Sequence, residues 1–189
     1  MTERRPTRTR QAIIDALLAA CKDGEYFPTA KELAERAGIS QRSVFVHFAD
    51  LGELRVAATS QQCDRIENLV VGADPGLPAA ERVDAVVRQT EKVFALQRRV
   101  RLLGLIEASG SSVLDDRMRR ADRKMREALS RTFSKELASS GSKPDEQLLD
   151  MVESVAGWSF RHHLVDRRRL SQRAASQAVR RSLGTLLNI

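Results

Sequence analysis

Aromatic side chains are scarce: phenylalanine, tyrosine and tryptophan together make up 4% of the 189 residues. That scarcity, beside plentiful alanine, leucine and arginine, disfavours a β-sandwich and favours helices. No apolar stretch approaches the roughly 18 residues that a membrane span needs, so no membrane partner is expected. The first ten residues are polar and arginine-rich with no apolar run beside them, unlike a secretion signal. The two cysteines, Cys21 and Cys63, lie far apart without a CxxC pair. They support neither a zinc site nor a disulfide framework, and fit a reduced cytoplasmic protein with two buried thiols. No Ser-His-Asp order, GxSxG, glycine-rich phosphate loop or credible carboxylate pair occurs, so neither an enzyme nor a cofactor is expected.

What is present is 42% hydrophobic and 30% charged, a balance that suits a soluble globular chain with a core. Its length fits one domain or a small head fused to a larger one. The formal net charge is +7, the footprint expected for a polyanion partner. The distribution weakens that argument. Residues 1–50 hold eight basic and seven acidic side chains, whereas residues 95–189 hold nineteen and eleven. The head does have a local cluster, Arg4, Arg5, Arg8 and Arg10, opposed only by Glu3. Such a cluster is either a solvated tail or an arm that touches phosphates and grooves.

Helical spacing runs through the whole chain. Ile13, Ile14, Leu17, Leu18 and Cys21 share a face in a segment that Gly24 ends. Asp50 can cap a helix reaching about Val71. The strongest break is Gly72-Ala73-Asp74-Pro75-Gly76-Leu77-Pro78. Val83, Val86, Val87, Thr90, Phe94 and Gln97 then share a face. Val100 to Ala108 forms a shorter apolar stretch before a Ser-Gly turn. Met118, Ala121, Met125, Leu129, Phe133 and Leu137 predict a long amphipathic helix ending before Ser140-Gly141. Two more helices are expected over about Pro144–Val165 and Ser171–Leu187. With no alternating run to suggest a strand, the fold class is all-α with roughly nine helices.

The segment Thr29 to Phe48 is the most specific. Thr29-Ala30-Lys31-Glu32 is a capping box, in which the Thr29 hydroxyl accepts from the Glu32 amide and the carboxylate reaches back. The short helix that follows puts Leu33, Ala34 and Ala37 inward, and Gly38 stands where the chain must turn through positive φ. Ser40 is a second N-cap, with Ile39 and Val44 at the positions of a hydrophobic staple. Two short, capped helices joined by a glycine turn make a helix-turn-helix, whose second helix offers its N-terminal residues to the major groove.

This segment, with an amphipathic helix before it and Glu53-Leu54 after it, resembles the DNA-binding head of the TetR family of transcriptional regulators. Thr29, Leu33, Ala34, Ala37, Gly38, Ile39, Ser40, Val44, Phe45, His47, Phe48 and Leu54 carry the resemblance. The chain length and helical remainder fit the family too. The resemblance implies a three-helix DNA-binding head over residues 1–50 and a helical effector-binding and dimerisation domain over residues 51–189. It implies a cytoplasmic homodimer that binds a palindromic double-stranded DNA operator, most simply as a repressor, and that a small molecule releases. Two positions depart from the family. Phe45 stands where a tyrosine is usual, and Leu51 where a lysine is usual near the start of the fourth helix. Each change removes a phosphate contact. A helical ligand-binding or scaffold dimer with weakened DNA binding is therefore the alternative reading.

The DNA-binding residues implied are Thr29, Lys31, Ser40, Gln41, Arg42, Ser43, Phe45 and His47. Gln41, Arg42 and Ser43 face outward by the helical period, with Arg42 suited to a guanine edge and Gln41 to adenine; surface solvation is the plainer role. Phe45 and Phe48 read as core that packs the recognition helix onto the first helix. By helical face, Thr90, Phe94, Met125, Val155 and Trp158 are expected to line the effector pocket. Leu148, Val152, Val155, Ala175, Val179, Leu183 and Leu186 are expected at the dimer interface, on stripes wider than one core-facing side requires. His162 and His163 are about 100° apart on a helix and do not readily chelate one ion, so no metal site is expected. The interleaved charges from Asp115 to Glu127 read as a solvated face with i,i+4 pairs.

Overall fold

The computed structural model describes residues 8–138 and 144–189. Among them the chain is all-α; the one non-helical pairing is an isolated bridge between Ala138 and Pro144. In order, the helices are α1 (Arg8–Asp23), α2 (Ala30–Ala37), α3 (Gln41–His47), α4 (Leu51–Leu69) and α5 (Ala79–Gln97), then α6 (Val100–Ala108), α7 (Ser112–Thr132), α8 (Glu146–Ala156), α9 (Trp158–His162) and α10 (Gln172–Leu186). Arg4 and Arg5 of the expected arm, and the expected helix stop at Ser140-Gly141, lie outside the described residues. Arg8 and Arg10 open α1 itself.

Two compact units divide the chain. The first runs to Asp64 and takes in Arg99–Met118; the second is Arg65–Arg98 with Arg119–Ile189. The division therefore falls inside α4 and α7. By packing, α6 and the beginnings of α4 and α7 join the head, which is larger than the 50 residues of the helix-turn-helix region.

The first unit closes around Ile13, Leu17 and Cys21 of α1, Leu33 and Ala34 of α2, Val44 and Phe48 at α3, Leu54 and Ala58 of α4, and Val100 and Leu103 of α6. Each Leu, Val or Phe hidden in this way contributes about 1.5–3 kcal/mol of transfer free energy. Both cysteines are buried thiols, and burial pushes the Cys21 thiol up to about 11, where it is inert.

In the second unit Val83, Val86 and Val87 of α5, Leu129 of α7, Leu149 and Val152 of α8, and Val179 and Leu183 of α10 form one core, with Phe133 and Leu137 just past α7. Phe94, Val165 and Ala175 form a smaller cluster, with Trp158 and Leu164 at its edge. Two helices end earlier than their periodicity predicts. α7 stops at Thr132, because Arg82 Nη1 donates to the Thr132 carbonyl at 2.8 Å and takes the acceptor that a continuing helix would give to Glu136. The expected helix over 144–165 breaks at Gly157, whose backbone is extended with ψ 168°. A Cβ there would stand 3.0 Å from the Glu153 carbonyl, which is why the kink takes a glycine. Beyond it α9 runs into a π turn over His163–Arg167, closed by the Arg168 amide on the His163 carbonyl at 2.9 Å.

Candidate nucleic-acid interface

The helix-turn-helix is built from local hydrogen bonds. The Thr29 amide donates to Glu32 Oε2 at 2.7 Å and the Glu32 amide donates to the Thr29 hydroxyl at 3.3 Å, which completes the capping box. The backbone hydrogen bond from Thr29, with the hydroxyl's donation, holds the Glu32 carboxyl below its ordinary range. Gly38 adopts φ 68°, and the Ile39 amide returns to the Ala34 carbonyl at 3.0 Å, closing the C-terminal cap of α2. Ser40 caps α3 by accepting from the Ser43 amide at 3.2 Å. Asp50 caps α4 by accepting from the Glu53 amide at 2.8 Å, while Glu53 accepts from the Ala49 amide at 2.7 Å. Arg36 fastens α2 to the end of α1 through Asp23 and to the loop after it through Glu25, each at 2.9 Å.

These caps orient α3. Val44 and Phe48 point into the core, and Arg10 lies over the Phe48 ring at 4.4 Å. The opposite side presents Gln41 and Arg42, both exposed, with Ser40 beside them; Thr29 and Lys31 are exposed at the start of α2. Ser43 and His47 are half-buried. Phe45 is 49% exposed, so the expectation that it packs in the core is corrected; only Phe48 does. Phe45 is three residues from Arg42 and belongs to the open face, because the helical turn that buries Val44 turns its neighbour outward. Leu51, where a phosphate contact is missing relative to the family pattern, instead packs against the head core. The sequence reading missed Val46, which is 72% exposed one turn beyond Arg42. Its signal was the i,i+4 spacing, and its methyl groups suit the C5-methyl of thymine. Arg42 makes no ion pair or hydrogen bond among the described residues, so its guanidinium is uncommitted.

No family model matches the sequence, and no curated protein does. Solved structures do match, over almost the whole chain. A TetR-family transcriptional regulator from Mesorhizobium loti superposes with a TM-score of 0.68 at 18% identity, covering 98% of each chain. A transcriptional regulator from Rhodococcus sp. RHA1 gives 0.72 at 18% identity over 95% of this chain and 96% of its own. A TetR-family regulator from Streptomyces coelicolor gives 0.71 at 18% over 97% and 88%. The fold is that of the TetR-family transcriptional regulators.

On this TetR fold the two sets of residues expected in the larger part separate. Thr90, Phe94 and Trp158 gather near Arg161: Thr90 Oγ1 lies 3.4 Å from Arg161 Nη2, and Phe94 and Trp158 share a cluster. Trp158 donates to the Arg98 carbonyl at 3.2 Å and stacks on His162 at 4.4 Å. Met125 and Val155 pack against the other cluster of the second unit. An open pocket of about 370 Å³, lined by Val83, Arg180 and Gly184 among others, contains none of them. The expected interface residues also divide. Val152, Ala175, Val179 and Leu183 are at most 1% exposed inside the second unit's own interior and cannot face another subunit. This corrects the expectation, and the reason is that the stripe on α10 is consumed by α5 and α8. Leu148, Val155 and Leu186 are only half-buried, and Met151 is 47% exposed.

Proposed function

We propose that this chain is a TetR-family, DNA-binding transcriptional regulator that acts as a homodimer on a palindromic operator and is released by a small-molecule effector, most simply as a repressor. The observation that carries this reading is the capped α2–α3 pair, which leaves Gln41, Arg42 and Val46 exposed with Arg42 uncommitted. A recognition helix that offers an exposed guanidinium near its N-terminus suits a guanine edge in the major groove, while Thr29, Lys31, Ser40, Ser43 and His47 flank it as DNA-backbone contacts and the Phe45 ring lies on the same face as an apolar contact. Leu148, Met151 and Val155 recur on α8 at i, i+3 and i+7, an apolar stripe for a twofold mate, with Leu186 of α10 as the fourth member. Such a dimer sets two α3 helices about 34–36 Å apart on successive major grooves.

Selection of bound sequences from random duplex DNA tests the reading. A twofold-symmetric site is expected, and Arg42→Ala should cost about 1–3 kcal/mol while relaxing preference at one position. Met151→Asp should give folded monomers by light scattering with weakened operator binding. The packing of Leu51 into the head, away from any phosphate, favours one other reading, a helical dimer with weakened DNA binding. Failure of any sequence to enrich would select it.

A further inference from the structure

Two arginines are buried in the second unit, and their surroundings differ. Arg82 has the arrangement expected of a structural cation: Nη1 and Nη2 each meet Glu136 at 2.6 Å, and carbonyls of Leu77 and Thr132 accept at 3.0 and 2.8 Å. Arg161 is 1% exposed and has no carboxylate within ion-pair distance among the described residues. Its Nη1 donates to the Ser176 hydroxyl at 2.9 Å and its Nη2 reaches the Thr90 hydroxyl at 3.4 Å. Both acceptors are neutral and already committed: Ser176 donates to Glu91 Oε2 at 3.1 Å, and Thr90 to the Val87 carbonyl at 3.2 Å. Glu91 compensates the charge without touching it, through the Ser176 hydroxyl and across the intervening distance. Burial pulls the Arg161 pKa down from the ordinary guanidinium value, and Glu91 opposes this from a distance.

A guanidinium is a planar fork of five donors that matches a carboxylate. Buried charges are ordinarily paired, and a cation left this way is costly to the ligand-free fold. Beyond these two hydroxyls lies an apolar cluster: the guanidinium carbon is 6.0 Å from the Phe94 ring centre, and Phe94 clusters with Val165, Ala175, Trp158 and Leu164. The long contact to Thr90 is the arm of the fork most readily given up. We propose that the second unit binds a small monocarboxylate with an apolar body, its carboxylate on the Arg161 guanidinium and its body against Phe94 and Trp158. A single anionic group on an apolar body suits this cluster better than a dianion, for which it offers one cation. The proposal rests on the regulator reading above and names the chemistry of its effector.

The test uses the full-length protein and calorimetric titration with straight-chain carboxylates from butanoate to decanoate and with phenylacetate. Each acid is paired with its uncharged primary amide. Saturable binding of at least one acid is expected, with its amide bound at least tenfold more weakly. Arg161→Met should lower that acid's affinity tenfold or more, and Arg161→Lys, which keeps the charge but not the fork, should fall between. Equal binding of acid and amide overturns the proposal without any variant, and so does the absence of binding by every acid. Undiminished acid binding in a folded Arg161→Met also overturns it. DNA affinity is measured on the same samples. An acid that binds through Arg161 but leaves DNA affinity unchanged keeps the site and removes its regulatory role. DNA release by a neutral compound whose binding ignores Arg161→Met keeps the regulator and removes the anion site.

Discussion

The core of the first unit takes Ile13, Leu17, Leu33, Val44, Phe48 and Leu54 from four consecutive helical segments, and among the described residues it buries no charged side chain. The interior of the second unit buries Arg82 and Arg161 together with Thr90, Gln97 and Thr132. The head is also tied by contacts of short range: the bonds that cap its helices join residues three to five apart, from Thr29–Glu32 to Ser40–Ser43 and Asp50–Glu53. Both units are also tied across long stretches of chain, the first by Arg55 to Glu107 and Gln11 to Gln61, the second by Arg82 to Glu136 and Arg161 to Thr90, but only in the second are the cations buried. A head that holds a readout helix at fixed pitch benefits from an apolar interior, because dispersion and burial hold it without charges that need partners. The first unit buries the neutral side chains Thr59 and Gln62, whereas the second adds buried guanidinium groups, charged donors that an anionic molecule can compete for.

The contrast can be broken most severely at Leu183, which is fully buried. Leu183→Asp is expected to cost on the order of 5 kcal/mol or more, since an unpaired charge must enter the apolar core of the second unit. Far-UV circular dichroism should show loss of helix, and a folded monomer would instead return Leu183 to the dimer interface. Next comes Arg82→Met, expected to cost about 3–5 kcal/mol because it strands Glu136 against a buried carbonyl. This pair also sets a pH dependence. The hydrogen bonds from Arg82 hold the Glu136 carboxyl below its ordinary range, so its folded pKa lies under the unfolded one. The stabilisation is present above the unfolded carboxylate pKa and is lost as pH falls through the folded value. Acid titration of stability should therefore be shallower in Arg82→Met than in the wild type.

Smaller effects sharpen the comparison. Arg161→Met strands no directly paired carboxylate, and Thr90 and Ser176 keep their other partners, so ligand-free stability should stay the same or rise by up to about 2 kcal/mol. Opposite signs at the two arginines in thermal melts would separate a structural cation from one held for a ligand; equal losses would make them alike. In the head, Gly38→Ala should cost about 1–2 kcal/mol from backbone strain alone, because its φ is 68° and a Cβ there meets nothing within 4 Å. Gly38→Asn should recover part of that, and a silent Gly38→Ala would show that the α2 cap is not what fixes α3.

How much of this was legible in the chain follows the same division. The capping box at Thr29, the turn at Gly38, the cap at Ser40 and the burial of Val44 and Phe48 were readable because each is decided by residues within one or two turns. Phe45 was misread because period alone cannot say how wide a buried stripe is when two helices converge on one side of α3. Val152, Ala175, Val179 and Leu183 of the expected interface stripe were misread for the related reason that an apolar face looks the same whether it meets its own subunit or another. Neither buried arginine was visible, since arginine is ordinarily exposed and each has a partner fifty or more residues distant, Glu136 for Arg82 and Thr90 for Arg161.

Helical class, the order of segments and the two capped helices of the head were determined by the sequence by itself, through hydrophobic period and side chains that satisfy nearby amide groups. Tertiary structure alone decided where α7 stops, which part of the α10 stripe is spent within the subunit, and that Arg161 is enclosed with two hydroxyls for partners. The reason is physical: caps and turns are closed by neighbours along the chain, whereas the burial of a charge or the use of an apolar face depends on what long-range packing brings against it.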